Sequence, residues 1–275
     1  HDVQLHLHLQ WVGAKYKNKK WILNYSWWRL PMAPHGLGNK NDVYSINGII
    51  YKGKSILEEI LRSNEPDYKT IAFRAGAYCK QPSKNILKTF LINKIKIDST
   101  VYKWGHNTKN PNYYDFRNAY SNIEPWNPSL EDINKKGELS DILEVPIFSL
   151  NPLTIKRLPE IISREIDKIR YKGKSFGCKG RPHVVNMKEN RIKKLFGRSI
   201  LIWDFNLQKF THDFIIKNAL KISKNVKNPV LVMTGHMKSM MRYDKRHPFE
   251  WAIHKLKSNE NISFSKYEDL LTING

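Results

Sequence analysis

Short apolar, β-branched runs alternate with stretches of helical period along most of this chain, and no other feature narrows its possible folds so far. Val3–Leu9 alternates strictly between apolar and polar residues and predicts a strand. Thr70–Phe73, Ile95–Val101, Glu144–Phe148, Ile200–Phe205, Val230–Thr234 and Ile262–Phe264 read as further short strands or extended segments. Ser55-Ile-Leu-Glu58 has the form of a capping box and predicts a helix through ILEEILRS. Ser83–Asn93, Leu158–Ile169 and His212–Ser223 carry helical patterns, and Pro248 predicts the first turn of a helix through FEWAIHKLK. Asn47-Gly48 is a two-residue turn signal that predicts a hairpin through VYSINGIIYK. Strands that alternate with helices imply parallel pairing, hence an α/β sheet or barrel. Two long aromatic stretches, 11–48 and 102–128, interrupt the pattern as loops of the kind that carry function. No stretch has linker composition, so a single domain over 1–275 is expected.

A chain of 275 residues, 40% hydrophobic and 12% aromatic, can bury a substantial core. No apolar run approaches the roughly 18 residues that a membrane-spanning helix needs. The formal net charge is +22, but the lysines are scattered among Asn and Ile, as in YKNKKWILN and KISKNVKN. We read this charge as a solvated surface first, and as an attractor for acidic glycans or phosphate second. No nucleic-acid-binding module or basic helix is recognisable, so nucleic acid is not an expected partner. The two cysteines, Cys79 and Cys178, read as free thiols.

Gly48-Ile-Ile-Tyr-Lys-Gly53-Lys54-Ser55 satisfies the P-loop pattern, with a helix predicted after it. A phosphate cradle needs the residues between its glycines to wrap their N–H groups around an anion. Ile-Ile-Tyr is too bulky and β-prone for that, and the nucleotide reading is rejected. The pentapeptide YKGKS at 51–55 recurs at 171–175 in different surroundings and is a coincidence, not a repeat.

The opening HDVQLHLHLQW is more informative. Residues two apart in a strand share a face, separated by about 6.6 Å of rise. Gln4, His6, His8 and Gln10 therefore share one face, and Val3, Leu5, Leu7 and Leu9 the other. Two such imidazoles can converge on a Zn²⁺-type ion at about 2.0–2.1 Å from each nitrogen. A catalytic zinc commonly takes a third protein ligand, which the neighbouring sequence does not supply. Other polar residues stand just after buried strands, where α/β enzymes place their chemistry: Arg74, Asp98, Asp204 and His236. Each taken alone reads as a salt bridge, a cap or a solvated loop residue; together at strand ends they form a candidate constellation.

HDVQLHLHLQW, FRAGAYC, IKIDSTV, YDFRNAYSNIEPW, LEVPI, LIWDF and TGHMKSM, in this order, resemble the polysaccharide deacetylase-like proteins of the NodB-homology superfamily, carbohydrate esterase 4-like, and among them those associated with cell-surface polysaccharides. The resemblance spans essentially the whole chain. It implies an irregular (β/α) barrel of the glycoside hydrolase/deacetylase type, here without its first strand or strands. It also implies a hydrolase of C–N bonds other than peptide bonds, with a divalent metal, Zn²⁺, as cofactor and a polysaccharide or glycan as substrate. The expected compartment is the cytoplasm, with the cell envelope as the alternative.

Carried over by residue, the resemblance makes His6 the first histidine of a metal-binding HxxxH. Gln10 stands where the second histidine belongs, with His8 as its substitute. It makes Arg74 the arginine that orients a catalytic aspartate, and the backbone around Tyr78 part of the oxyanion site. It makes His236 the acid that protonates the leaving amine, and Asp204 the carboxylate that tunes it. The family's first motif, with its aspartate base and aspartate ligand, would precede His1. Trp27, Trp28, Tyr113, Tyr114 and Trp126 are candidates either for stacking on sugar rings or for ordinary packing of long loops. A carbohydrate-binding protein without activity is the alternative that Gln10 favours, and a basic nucleic-acid-binding protein is the third reading.

Overall fold

The computed structural model describes residues 2–24, 29–108, 113–159, 162, 166, 197–236 and 243–273. In chain order the described strands and α-helices are β1 (Leu5–Leu7), β2 (Lys15–Lys17), β3 (Lys20–Ile22), α1 (Ile46–Arg62), β4 (Ala72–Ala75), α2 (Lys84–Asn93), β5 (Ile97–Asp98), β6 (His106–Asn107), β7 (Tyr114–Asp115), β8 (Leu143–Glu144), β9 (Ser149–Leu150), β10 (Leu201–Ile202), α3 (Lys209–Ser223), α4 (Tyr243–Lys257) and α5 (Tyr267–Ile273). The protein is mixed α/β, as the alternating pattern predicts. Its chain divides into two compact units, 1–146 with 265–275, and 147–264.

The first unit is built on a parallel sheet in the order β1-β4-β5-β8. Register pairs His6 with Arg74, Phe73 with Asp98, and Asp98 with Glu144. The expected strand over Val3–Leu9 is confirmed at its centre; from His8 the chain turns into a short 3-10 helix, Leu9–Trp11. Gln4 guides β1 onto its neighbour, its Oε1 accepting from the amides of Ile71 (3.0 Å) and Ala72 (2.9 Å). Parallel strands need crossovers: α1 supplies the one from β1 to β4, α2 the one from β4 to β5, and the long second loop the one from β5 to β8. Ile86, Leu87 and Phe90 of α2 are buried with Phe73 and Ile97 of the sheet.

The hairpin expected at Asn47-Gly48 is overturned, because both residues lie in the first turn of α1. Ser45 caps this helix, its Oγ accepting from the Gly48 amide at 3.0 Å. A Cβ at Gly48 would fall 2.0 Å from the Asp42 carbonyl oxygen, so the glycine allows close approach and makes no turn. Asn47 is buried and its Oδ1 accepts from Asn93 Nδ2 at 2.8 Å. The expected capping box is likewise internal to α1: Ser55 Oγ donates to the Tyr51 carbonyl, and Glu58 Oε1 accepts from the Thr70 amide. Gly53, the second glycine of the rejected P-loop pattern, lets α1 lie on β1, since a Cβ there would sit 2.9 Å from Leu7 Cδ2.

Each long aromatic loop carries a small hairpin, β2–β3 in the first and β6–β7 in the second, both antiparallel. The strand expected at Ile262–Phe264 does not form; Phe264 is exposed, and α5 follows it.

In the second unit β9 pairs antiparallel with β10, and isolated parallel bridges join Ile147 to Val232 and Asp204 to Thr234. The last two bridges are all that forms of the strand expected at Val230–Thr234 among the described residues. The amphipathic α3 packs on α4, with Ile215, Ile216 and Ala219 buried beside Ala252 and Leu256. Asp213 of α3 is paired with Lys255 of α4. Pro248 lies inside α4, which begins at Tyr243, earlier than expected. The helix expected at Leu158–Ile169 falls largely outside the described residues.

Candidate functional site

The alternation that places His6 and His8 on one face brings their rings together edge to face, with centroids 4.7 Å apart. His6 Nε2 lies 3.0 Å from His8 Nε2. The other ring nitrogen of His6 sits 2.9 Å from the Arg74 carbonyl oxygen, which can only accept, so Nδ1 carries the proton and Nε2 the lone pair. Gln10 Nε2 stands 3.3 Å from His8 Nδ1 and donates to it. The result is one hydrogen-bonded chain, Gln10 to His8 to His6 to the Arg74 backbone. Gln10 therefore lies behind His8, on the far side of its ring from the Nε2 pair.

Two nitrogens bound to one tetrahedral ion at about 2.0–2.1 Å are about 3.3 Å apart. The His6 and His8 separation is within a few tenths of an ångström of that span, and His6 is exposed. The spacing thus suits zinc, with the Arg74 carbonyl as the outer partner that fixes the His6 tautomer, while His8, which carries its proton on Nε2 here, must shift it to Nδ1 before that nitrogen can bind an ion. Among the described residues, no group of three or more His, Cys, Asp or Glu side chains is placed to hold a metal ion. Gly76 makes room for this arrangement: a Cβ there would fall 2.5 Å from the Leu7 carbonyl oxygen and 2.9 Å from His8 Nδ1.

Arg74 ties the histidine strand to the end of β5. Its Nε donates to the Ser99 carbonyl at 2.8 Å, its Nη2 to Ser99 Oγ at 3.1 Å, and Nη2 lies 3.4 Å from the Tyr267 hydroxyl on α5. Beneath these groups the sequence reading missed a buried cluster. Lys80, Asp98 and Glu144 are each fully buried, and Lys80 Nζ is paired with the Asp98 carboxylate. Glu144 Oε2 is 3.9 Å from the same ammonium. Thr100 Oγ1 donates to Asp98 Oδ1 at 2.6 Å and accepts from the Ala75 amide at 3.0 Å. Glu144 Oε1 accepts from the Val101 amide at 3.0 Å. Burial first, and then the Asp98 carboxylate, push the Glu144 carboxyl well above the ordinary range. The cluster joins the carboxyl ends of β4, β5 and β8, the end of the sheet near Arg74. The polar stretch Lys80-Gln-Pro-Ser-Lys84 gives no advance signal that its first lysine is buried; only the pairing of Asp98 with Glu144 does, and that is tertiary.

The predicted aromatic contacts divide. Tyr78 and Ala77 both adopt left-handed backbone, with φ of 60° and 52°. The Tyr78 ring packs against Tyr102 (4.9 Å between centroids) and Tyr114 (5.8 Å), while the Tyr102 and Tyr114 hydroxyls meet at 2.6 Å. Tyr114 is buried within this cluster. Trp126 is also buried, its Nε1 donating to the Ile133 carbonyl at 3.0 Å. Both are core residues here and present no open ring face to a sugar, because the second loop folds back on the sheet. Tyr113 is exposed, with the Arg29 guanidinium over its ring. Trp27 and Trp28 lie outside the described residues, as does Cys178.

Asp204 and His236 belong to the second unit. Asp204 bridges Thr234, which places it two residues out of step with His236, and its Oδ1 accepts from the Asn206 amide at 2.7 Å. Among the described residues no hydrogen bond or ion pair joins Asp204 to His236, which is exposed. The expected pairing of the two is therefore not formed here: the carboxylate closes its own turn instead. A buried histidine that the sequence did not single out is partnered, with Trp203 Nε1 donating to His212 Nδ1 at 3.1 Å.

No helix among the described residues is long and apolar enough to cross a membrane. Comparison with family models, with curated proteins and with solved structures finds no match to this chain.

Proposed function

We propose that this chain is a metal-dependent hydrolase that removes N-acetyl groups from a polysaccharide or glycan, in cell-surface polysaccharide metabolism. The reading includes an irregular (β/α) barrel of the NodB-homology type. The observation that supports it is the pair of imidazole Nε2 atoms, 3.0 Å apart, with His6 held in one tautomer by the Arg74 carbonyl. His6 and His8 would hold a divalent ion, zinc by donor type, and Gln10 would orient His8 from behind. Such an ion, when bound, supplies Lewis acidity and an activated water near neutral pH. Arg74 holds the Ser99 segment and the His6 strand in fixed relation, and the backbone around Tyr78 supplies donors to developing negative charge. The resemblance gives His236 the role of handing a proton to the departing amine.

A carbohydrate-binding protein without catalysis is the second reading. It is favoured by the position of Gln10 behind His8, since among the described residues no third ligand joins the two nitrogens of the Nε2 pair. The test uses the full-length protein saturated with Zn²⁺. Zinc is measured by mass spectrometry, and acetate release is followed with N-acetylated glycan. The hydrolase reading expects bound zinc lost in His6→Ala and acetate release abolished in His236→Ala. Release at equal rates in the parent and His236→Ala proteins would defeat it, and so would a parent protein that holds no zinc. Glycan bound without acetate release selects the second reading.

A further inference from the structure

Among the described residues, the hairpin β2–β3 is an exposed apolar feature close in the chain to the histidine pair. Its strands pair Lys15 with Ile22, Tyr16 with Trp21, and Lys17 with Lys20. Alternation therefore puts Tyr16 and Trp21 on one face and Lys15, Lys17 and Lys20 on the other. Trp11, from the 3-10 turn before it, packs edge-on against Trp21 with centroids 5.7 Å apart, and Tyr16 lies 5.3 Å from the same ring. These three rings remain 52%, 62% and 56% exposed for Trp11, Tyr16 and Trp21. A two-stranded hairpin gains little by holding three large rings in water, and an apolar patch rimmed by polar groups marks an interaction site.

The turn adds a second observation. Asn18 and Lys19 both have positive φ, 52° and 59°, as a type I′ turn requires. Glycine is the residue suited to the second of these positions, and a lysine stands there instead, in strained backbone. The hairpin tip thus carries a cation at a conformational cost. From residue 3 to residue 41 the sequence has no Asp or Glu, while Lys15, Lys17, Lys19 and Lys20 all fall on the hairpin. Nothing in the segment neutralises them locally. The platform also adjoins the histidines: the Asn24 amide donates to the Gln10 carbonyl at 2.8 Å, so the segment carrying the hairpin leaves and returns at the glutamine that contacts His8.

We propose that the β2–β3 hairpin with Trp11 is a docking platform for an acidic polysaccharide, whose sugar rings lie on Trp11, Trp21 and Tyr16 while the positive field of the lysines at the hairpin tip and on the ribbon's other face attracts its carboxylates. The polymer's identity as a glycan rests on the reading above; the platform itself does not depend on the metal. A carboxylated glycan satisfies both features of the hairpin at once, a flat apolar ring face and a regular anionic charge. The position of the platform makes it a subsite that feeds the chain toward His6 and His8.

The experiment titrates the full chain with polygalacturonate at low and moderate salt and reads tryptophan fluorescence and calorimetry, with neutral chitin oligosaccharide and oligo(dT) as comparison probes. The expected result is binding of polygalacturonate in preference to both other probes. Trp21→Ala is expected to weaken it at least ten-fold, and Lys17→Ala/Lys20→Ala to weaken it and flatten its salt dependence. Thermal unfolding checks that each variant is folded, and Tyr16→Ala, at the most exposed of the three rings, is the second variant should Trp21→Ala fail that check. His6→Ala is expected to lose zinc and keep polygalacturonate affinity, so failure of the metal reading registers separately. Affinity unchanged within two-fold in both folded ring variants, or oligo(dT) bound more tightly than polygalacturonate at equal salt, would overturn the platform.

Discussion

Asp98 and Glu144 face each other directly across neighbouring parallel strands, both without solvent exposure, and share one ammonium group, that of Lys80. Lys80 also lies over the Phe90 ring, 4.7 Å from its centroid, so its stem and head are both enclosed. Removing one member of a buried ion pair strands the other charge and costs about 3–5 kcal/mol, whereas removing both costs much less. Lys80→Met should therefore destabilise the chain by about that amount in urea unfolding, and Lys80→Met/Asp98→Asn should recover most of it. A double variant no more stable than the single one would show that the cluster is not held by this pair.

Glu144 gives a pH signature of definite sign. Burial and Asp98 raise its folded titration above the ordinary value of 4.5. Below that value the carboxyl is protonated in both folded and unfolded chains. As pH rises, the unfolded chain releases the proton while the folded chain keeps it, so stability falls until the folded group ionises. Glu144→Gln keeps the shape and removes the titration. The variant and parent should match at about pH 4, and the variant should gain relative stability toward about pH 8. A difference in unfolding midpoint that is flat with pH would contradict the raised titration.

The sequence discloses those parts of the fold whose signals are local. The alternation in LHLHL is read directly as a strand with two histidines on one face, because period and burial coincide there. Helix α2 is equally legible from Ile86, Leu87 and Phe90. Helix α1 is not, because Asn47-Gly48 has strong turn chemistry that tertiary packing overrides: Ile46, Ile49 and Ile50 are buried, and Gly48 lies against the Asp42 backbone. Lys80 is illegible for the opposite reason. Nothing near it in sequence satisfies its charge, and its partners arrive from the ends of β5 and β8. Tyr114 and Trp126 show the limit of reading aromatic loops as binding surfaces, since the same rings serve equally well as core.

Cys79 follows the same logic of burial. It is 1% exposed, and desolvation pushes its thiol up to about 12. The thiolate is the reactive species, so the native chain should hold almost none near neutral pH. In a Cys178→Ser protein, a chromogenic thiol reagent should modify Cys79 only as the chain opens, with rapid labelling in urea. Rapid stoichiometric labelling of the native protein would place Cys79 at an accessible surface.

Two glycines next to β1 should respond differently to a methyl group. At Gly53 the nearest atoms are the mobile ends Leu7 Cδ2 (2.9 Å) and Leu5 Cδ1 (3.3 Å). Alanine also gains up to about 1 kcal/mol in a helix interior, so Gly53→Ala should be close to neutral. At Gly76 the nearest atom is the Leu7 carbonyl oxygen at 2.5 Å, which is backbone and cannot rotate away, followed by the His8 ring. Gly76→Ala should cost about 1–3 kcal/mol by overpacking. It should also lower zinc affinity in calorimetric titration, because the strand end that carries His8 must move. Equal effects at both positions would mean that Gly76 does not seat the ring.

Gln10 offers the sharpest test of the histidine pair. With its Nε2 donating to His8 Nδ1, the His8 proton is on Nε2 and points at His6. That tautomer is a hydrogen-bond donor and cannot be a ligand through Nε2. To bind an ion there, His8 must move its proton to Nδ1, and the Gln10 amide must turn its oxygen toward the ring. Gln10→Glu replaces this ambivalent amide with an acceptor at the same reach. The carboxylate holds the proton on Nδ1, leaves Nε2 bare and increases its basicity, as carboxylate partners of metal-bound histidines do. Zinc affinity in Gln10→Glu should therefore rise by about 10-fold or more, the lower end of what outer partners contribute. Gln10→Leu, which removes the partner, should lower it. If Gln10→Glu binds zinc no more tightly than the parent, the two Nε2 atoms do not form a site, and their contact is only a hydrogen bond between histidines.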